Sequence, residues 1–176
     1  MKRIGPRSRI KIRVRSALLL GLFLGTGAAF AAGACSISSS GLAFGAYQPL
    51  TLPGKLTSVD KTTTATVSVV CTGISTGGAY TISLGAGNYG SGDRISARYL
   101  NNAANGGPYM AFNAYTEASY STVWGNGSIG ALFSGTIPAG ASSREHTAYG
   151  KIPAGQNTLK AGSFSDTLTM TITYNP

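Results

Sequence analysis

The residues Gly85-Ala86-Gly87-Asn88-Tyr89-Gly90 match the G-x-G-x-x-G pattern that cradles a dinucleotide's pyrophosphate, and they follow a strand-like run, AYTISL. With 25 glycines in 176 residues, roughly half a match is expected by chance, so the pattern carries little weight alone. The chemistry also needs a helix directly after the glycines, with its amide dipoles facing the phosphates, and an acidic residue about 20 positions on for the ribose. Neither is there: SGDRISARYLNNAANGGPY has no helical periodicity, and no carboxylate falls around Asn105 to Pro108. GAGNYG therefore reads as a glycine-rich loop, and no cofactor is expected.

A second cluster, Ser143, Glu145 and His146 in SSREH, holds the only histidine. Positions i, i+2 and i+3 on a strand do not converge on one point. With five acids and one histidine, the inventory for a nucleophile–base–orienter chain drawn from distant segments is thin. The expectation is a solvated strand with an exposed His146, and no enzyme. A metal site has even less to draw on, because there is no second histidine. Trp124 and the tyrosines at 109, 115 and 120 have rings that stack on sugars, but in a β-sandwich such residues more often pack in the core or across strands. Asn126-Gly127-Ser128 is a formal N-glycosylation acceptor, which needs a eukaryotic-type secretion that nothing upstream supports.

The first residues decide the compartment. MKRIGPRSRIKIRVR carries seven basic residues and no acid, SALLLGLFLGTGAAF is apolar, and Ala29-Phe30-Ala31 offers an A-x-A cleavage site. That order describes a secretory signal peptide over residues 1–31. An uncleaved anchor is disfavoured, since an apolar run of about 15 falls short of the about 20 residues a span needs. No adjacent arginine pair points to the twin-arginine route, so the general secretory route is expected. Removing the leader takes seven of the 14 basic residues and none of the five acids, which leaves residues 32–176 at +2 rather than +9. The basicity belongs to the leader, and no nucleic-acid partner is expected.

Cys35 and Cys71 both lie in the exported part, and an even count in an oxidising compartment reads as one disulfide. The rival reading, a lipidated Cys35, wants a bulky aliphatic residue three positions earlier, where Ala32 stands, and it would strand Cys71 as a free thiol.

The 145 exported residues suit one domain, and none of them forms a long amphipathic helical pattern. The elements are short, threonine-rich alternating runs bounded by Gly, Pro, Asn and Ser. In TTTATVSVVC the residues Ala65, Val67, Val69 and Cys71 share a face; in AYTISL, Tyr80, Ile82 and Leu84 do. CSISSSGLAFGAY, RISARYL, PYMAFNAYT, STVWG, IGALFSGTI and REHTAYGKI add further candidate strands. Ile137-Pro138-Ala139-Gly140 recurs as Ile152-Pro153-Ala154-Gly155, and these turns bracket the strand holding SSREHTAYGK. The fold class is all-β, a β-sandwich.

The last segment, SFSDTLTMTITYNP, carries the most information. Phe164, Leu168, Met170, Ile172 and Tyr174 occupy one parity and Ser165, Thr167, Thr169, Thr171 and Thr173 the other, with Asp166 as the polar break. This predicts a strand over 164–174 with one apolar face that needs cover on both flanks.

ACSISSSGLAFGAYQPL, the second cysteine at the end of TATVSVVC, YTISLGAG, YGKIPAGQ and the closing GSFSDTLTMTITYNP together resemble the spore coat protein U domain family, over about Ala34 to Pro176. That family is similar to the pilin subunits of archaic chaperone–usher fimbriae. The resemblance implies an immunoglobulin-like β-sandwich lacking its final strand. Its partners would be a periplasmic chaperone that lends a strand, an outer-membrane usher, and other pilin subunits that replace the lent strand by donor-strand complementation. It implies that Cys35 and Cys71 match the family's disulfide, and that Phe164, Leu168, Met170, Ile172 and Tyr174 wall the acceptor groove. The expected function is a structural or adhesive subunit of a secreted fimbrium or surface coat. The alternative is a self-sufficient secreted binding module, such as one for carbohydrate, that completes its own sheet. One departure stands out: pilins of this kind carry a donor segment before the first cysteine, whereas cleavage after Ala31 leaves only Ala32, Gly33 and Ala34 there. A subunit that accepts but does not donate belongs at a tip or terminus.

Overall fold

The structure is a computed structural model that describes residues 33–89, 94–104 and 109–176. The leader expected over 1–31 lies outside the described residues.

Among the described residues eight strands form two sheets, and every pairing between them is antiparallel. The strands are β1 (Ala34–Ser39), β2 (Lys61–Ile74), β3 (Gly78–Leu84), β4 (Arg98–Leu100), β5 (Met110–Tyr115), β6 (Phe133–Ile137), β7 (Gly140–Ile152) and β8 (Met170–Asn175). One sheet has the order β1-β2-β7-β5-β4 and the other β6-β3-β8. The turn Pro138-Ala139-Gly140 joins β6 to β7, and β7 ends at Ile152, so the two Ile-Pro-Ala-Gly copies bracket that strand.

The alternation in the sequence becomes the two inner faces. Ala65, Val67, Val69 and Cys71 of β2 are buried against Tyr80, Ile82 and Leu84 of β3 in one core cluster. Each Val, Ile or Leu side chain among them stabilises the sandwich by about 1.5–3 kcal/mol on burial. Thr66, Ser68 and Val70 between them on β2 lie on the outer face, with Thr66 and Val70 exposed, which suits a strand whose other side is the outside of the molecule. Cys35 and Cys71 stand directly opposite each other on β1 and β2 and form a disulfide that fastens the edge strand to the sheet.

An immunoglobulin-type sandwich sets four strands, A-B-E-D, against C-F-G. Here β1-β2-β7-β5 fills the first sheet and β3-β8 the C-F part of the second. Among the described residues no strand pairs with the outer edge of β8, where G would lie.

The last strand differs from the expectation in its extent. Only Met170–Asn175 forms a ladder with β3; residues 164–169 are irregular, held by Gly85 N–H to the Thr169 carbonyl at 2.9 Å and by a single bridge between Ser165 and Asn101. The cause is that β3 stops at Leu84, opposite Met170, so the preceding residues have no ladder to join. RISARYL likewise contributes only the three residues Arg98–Leu100.

Candidate functional site, an open seam between the sheets

Met170, Ile172 and Tyr174 of β8 turn toward the core, as their parity predicts, yet all three are only partly buried. Their register partners on β3 lie on the same face: Leu84, Ile82 and Tyr80 are 5%, 0% and 1% exposed. Two neighbouring strands with equal apolar character therefore differ in cover, and the difference lies on the side of β8 away from β3.

At Met170 that side opens into a groove of about 1030 Å³. One wall is the end of β1 and the segment after it, residues 39–50, held to the edge of β2 by Ser40 N–H to the Thr66 carbonyl at 3.1 Å and Thr63 Oγ1 to the Ala43 carbonyl at 2.9 Å. Leu42 and Phe44 project from it, and Gly150 of β7 makes room, since a Cβ there would lie 2.8 Å from Phe44 Cζ. The other wall is residues 159–168 and Met170. The floor comes from both sheets, with Leu84, Phe112, Trp124 and Ile152 among its residues. Lys160 and Asp166 are the only charged side chains that line it among the described residues. An apolar trough flanked by an unpaired strand edge offers main-chain hydrogen bonds together with side-chain pockets, which is what an added strand needs.

The Spore Coat Protein U domain matches residues 22–171 of the chain. The chain belongs to that family. Its members are fimbrial and coat subunits of the chaperone–usher type, structural rather than enzymatic proteins found at cell surfaces. No curated protein matches the chain.

Within this Spore Coat Protein U domain, the five apolar residues singled out from the last segment fall into two groups. Phe164, Leu168 and Met170 line the groove. Ile172 and Tyr174 lie beyond its end, packed against the core together with Cys35 and Ile37 of β1, and the Tyr174 hydroxyl donates to the Thr76 carbonyl at 2.8 Å. Phe164 joins a second core cluster with Phe44, Met110, Phe112 and Ile152, and Leu168 touches both clusters.

Asp166, which breaks the apolar pattern, has a partner in GAGNYG. Its carboxylate accepts from the Asn88 backbone N–H at 3.1 Å and from Thr167 N–H at 2.7 Å. Gly87, at φ 89°, is where that loop passes, and a Cβ there would collide with the Asp166 carboxylate. The glycine-rich loop does bind an anion with a main-chain amide, and the anion is the domain's own side chain. It ties the groove wall to the end of β3.

Sequence reasoning missed Arg98. It is fully buried, and its guanidinium donates to the carbonyls of Gly85 (2.9 Å), Leu84 (3.0 Å) and Trp124 (2.8 Å) and to Asn113 Oδ1. Asn113 in turn donates to the Ile95 and Ser96 carbonyls. The cation thus fixes Leu84 and Trp124, two floor residues, from behind. Trp124 itself is core, its indole N–H donating to the Ile82 carbonyl at 3.0 Å.

His146 departs from the expectation of an exposed residue. It is half-buried on the inner side of β7, its ring stacked on Phe133 at 4.8 Å and its Nε2 2.8 Å from Tyr80 Oη. Burial pushes its pKa down. Ser143 and Glu145 are exposed on the same strand, so the three do not form a catalytic chain. Among the described residues no group of three His, Cys, Asp or Glu side chains suits a metal ion.

Proposed function

We propose that this domain is exported by the general secretory route and assembled into a chaperone–usher fimbrium or surface coat by donor-strand complementation. In this reading a periplasmic chaperone fills the groove beside β8 with one of its own strands. At the outer-membrane usher, a neighbouring subunit's strand replaces it. Phe164, Leu168 and Met170 receive the incoming apolar side chains, and Ile172 and Tyr174 continue the same face toward the closed end of the seam. The observation that carries the reading is the unequal cover of β3 and β8: an apolar edge strand stays half-buried beside a groove of about 1030 Å³.

The position of β1 supports a terminal place in the fibre. β1 starts at Ala34 and Cys35 is already its second residue. With a leader ending at Ala31, too little chain precedes the disulfide to form an alternating donor strand. Such a subunit accepts a strand and donates none.

The experiment is periplasmic expression of the full precursor with and without a chaperone of the immunoglobulin type, comparing Leu168→Asp with Thr171→Asp. The first puts a charge in the groove and is expected to abolish co-purification. The second alters the solvent side of β8 and is expected to leave it intact. A precursor that yields a stable, disulfide-bonded monomer alone, with no affinity for strand donors, overturns the reading in favour of a self-sufficient binding module. The terminal assignment is checked by N-terminal sequencing of the exported protein. A mature start well before Ala32, or head-to-tail polymers of the pure protein, defeats it.

A further inference from the structure

The solvent face of the five-stranded sheet carries a feature that the groove does not use. Tyr149 and Lys151 of β7 point outward between the buried Ala148, Gly150 and Ile152. Thr64 and Thr62 of β2 stand beside them in register, and Tyr115 of β5 stands opposite Tyr149. The turn that follows β5 folds back and sets Tyr120 against these rings, 5.6 Å from Tyr115 and 6.3 Å from Tyr149, nearly perpendicular to both. The Lys151 ammonium lies 5.5 Å from the Tyr120 ring centre and 3.6 Å from the Asp60 carboxylate.

Tyr120 has φ 56°, the one positive value at a non-glycine residue among the described residues. A tyrosine is strained there, whereas glycine or asparagine would turn the chain freely. The turn is nevertheless tightly held. Thr116 N–H donates to the Thr122 carbonyl and Tyr120 N–H to the Glu117 carbonyl, while the Ser121 and Thr122 hydroxyls both donate to the Glu117 carboxylate. Tyr120 belongs to neither core cluster and is only half-buried, so the strained backbone sets its ring against Tyr115 and Tyr149 on the outer face rather than in the core. Strain that the surroundings maintain is a mark of a site.

The chemistry of the face selects its ligand. Lys151 is offset by Asp60, and Glu117 is engaged by hydroxyls of its own turn, so no uncompensated cation invites a polyanion. The neighbouring Thr62, Thr64 and Thr66 are exposed hydroxyls, so there is no continuous apolar surface for a peptide. What remains is aromatic surface beside a paired donor and acceptor, with a row of hydroxyls alongside. We propose that Tyr115, Tyr120, Tyr149, Lys151 and Asp60 form a binding site for a neutral glycan chain. The C–H face of a sugar ring would pack on the tyrosines, and adjacent sugar hydroxyls would accept from the Lys151 ammonium and donate to the Asp60 carboxylate. None of these residues lines the groove, so the site stays accessible when the seam is filled, and the inference stands apart from the assembly reading.

The test is calorimetric titration of the exported chain, in whichever state it purifies, alone or with its strand donor. Cellohexaose, laminarihexaose and N-acetylchitohexaose serve as neutral probes and dextran sulfate as the charged one. At least one neutral hexaose is expected to bind, and Tyr149→Ala or Lys151→Gln to weaken it about tenfold or more. Tyr120→Gly removes the ring and relieves the strain together, so it is expected to keep or raise Tm while losing the glycan. No binding to any of the three hexaoses, preferential binding of dextran sulfate, or unchanged affinity in Tyr120→Gly overturns the proposal.

Discussion

His146 Nε2 on β7 and Tyr80 Oη on β3 meet at 2.8 Å, so a hydrogen bond between two side chains links the sheets across the sandwich. Both groups pay for their place in lost hydration. Burial lowers the histidine pKa, and burial also raises that of the phenol, an effect that the nearby Arg144 guanidinium partly offsets.

The first prediction is the pH dependence that follows. An imidazole in the unfolded chain titrates near about 6.5, and in the folded domain it titrates lower. Above that value it is neutral in both states and the contact contributes fully. As pH falls, the unfolded chain takes up the proton first, so stability declines until pH passes below the folded pKa, and then levels off. Urea unfolding at pH 7.5 and pH 5 should show the decline, and His146→Gln should flatten it. Tyr80→Phe should cost about 1 kcal/mol at pH 7.5.

A second prediction concerns Arg98. Replacing it with Met removes the donor from three carbonyls and one amide oxygen behind the groove floor. Buried acceptors left without partners cost about 1–3 kcal/mol each, so the loss should reach about 3 kcal/mol or more. Arg98→Lys retains the charge but cannot span the same set of acceptors, and it should fall between the two. Denaturant midpoints give the order directly.

The third prediction tests the loop that looked like a nucleotide motif. Asp166→Ala leaves the Asn88 and Thr167 amides without their carboxylate and should cost about 1–2 kcal/mol. Gly87→Ala meets both an unfavourable φ and the carboxylate itself, and should cost about 1 kcal/mol or more. In the double variant the collision disappears, so the two losses should sum to more than the measured total. Strict additivity in that cycle would mean that the contact contributes nothing.

These residues also show what the sequence could and could not disclose. The inner faces of β2 and β3 were legible because a half-buried strand writes its orientation in alternation, and Val67 or Ile82 has no other place to go. The facing of β8 was legible for the same reason, but its length was not, because the ladder ends with β3 at Leu84 rather than at any feature of residues 164–169. Arg98 was hidden because its burial depends on acceptors from three separate stretches, and an arginine in RISARYL reads as a surface residue. His146 shares the parity of the buried Ala148, yet its polarity argued for solvent until Tyr80 supplied a partner from the opposite sheet.

The last prediction tests the open edge of β8 as a template for an added strand. In the immunoglobulin arrangement the absent strand runs antiparallel to the one that β8 represents, so a short turn fused after Pro176 can return an extended segment along the open edge. If that segment alternates apolar and polar residues, its apolar side chains enter beside Leu168 and Met170 while its backbone pairs with β8. Linking it to the chain replaces a bimolecular encounter by a high effective concentration, and the fused protein should be a soluble monomer with raised Tm. The same peptide added separately should stabilise by about 2.7 kcal/mol at a hundredfold excess over its Kd. A fused segment of identical composition with the alternation scrambled puts polar groups into the trough and should give none of this. Equal stabilisation by both segments would mean that the effect is mere apolar tethering, and that the edge of β8 is not a template for pairing.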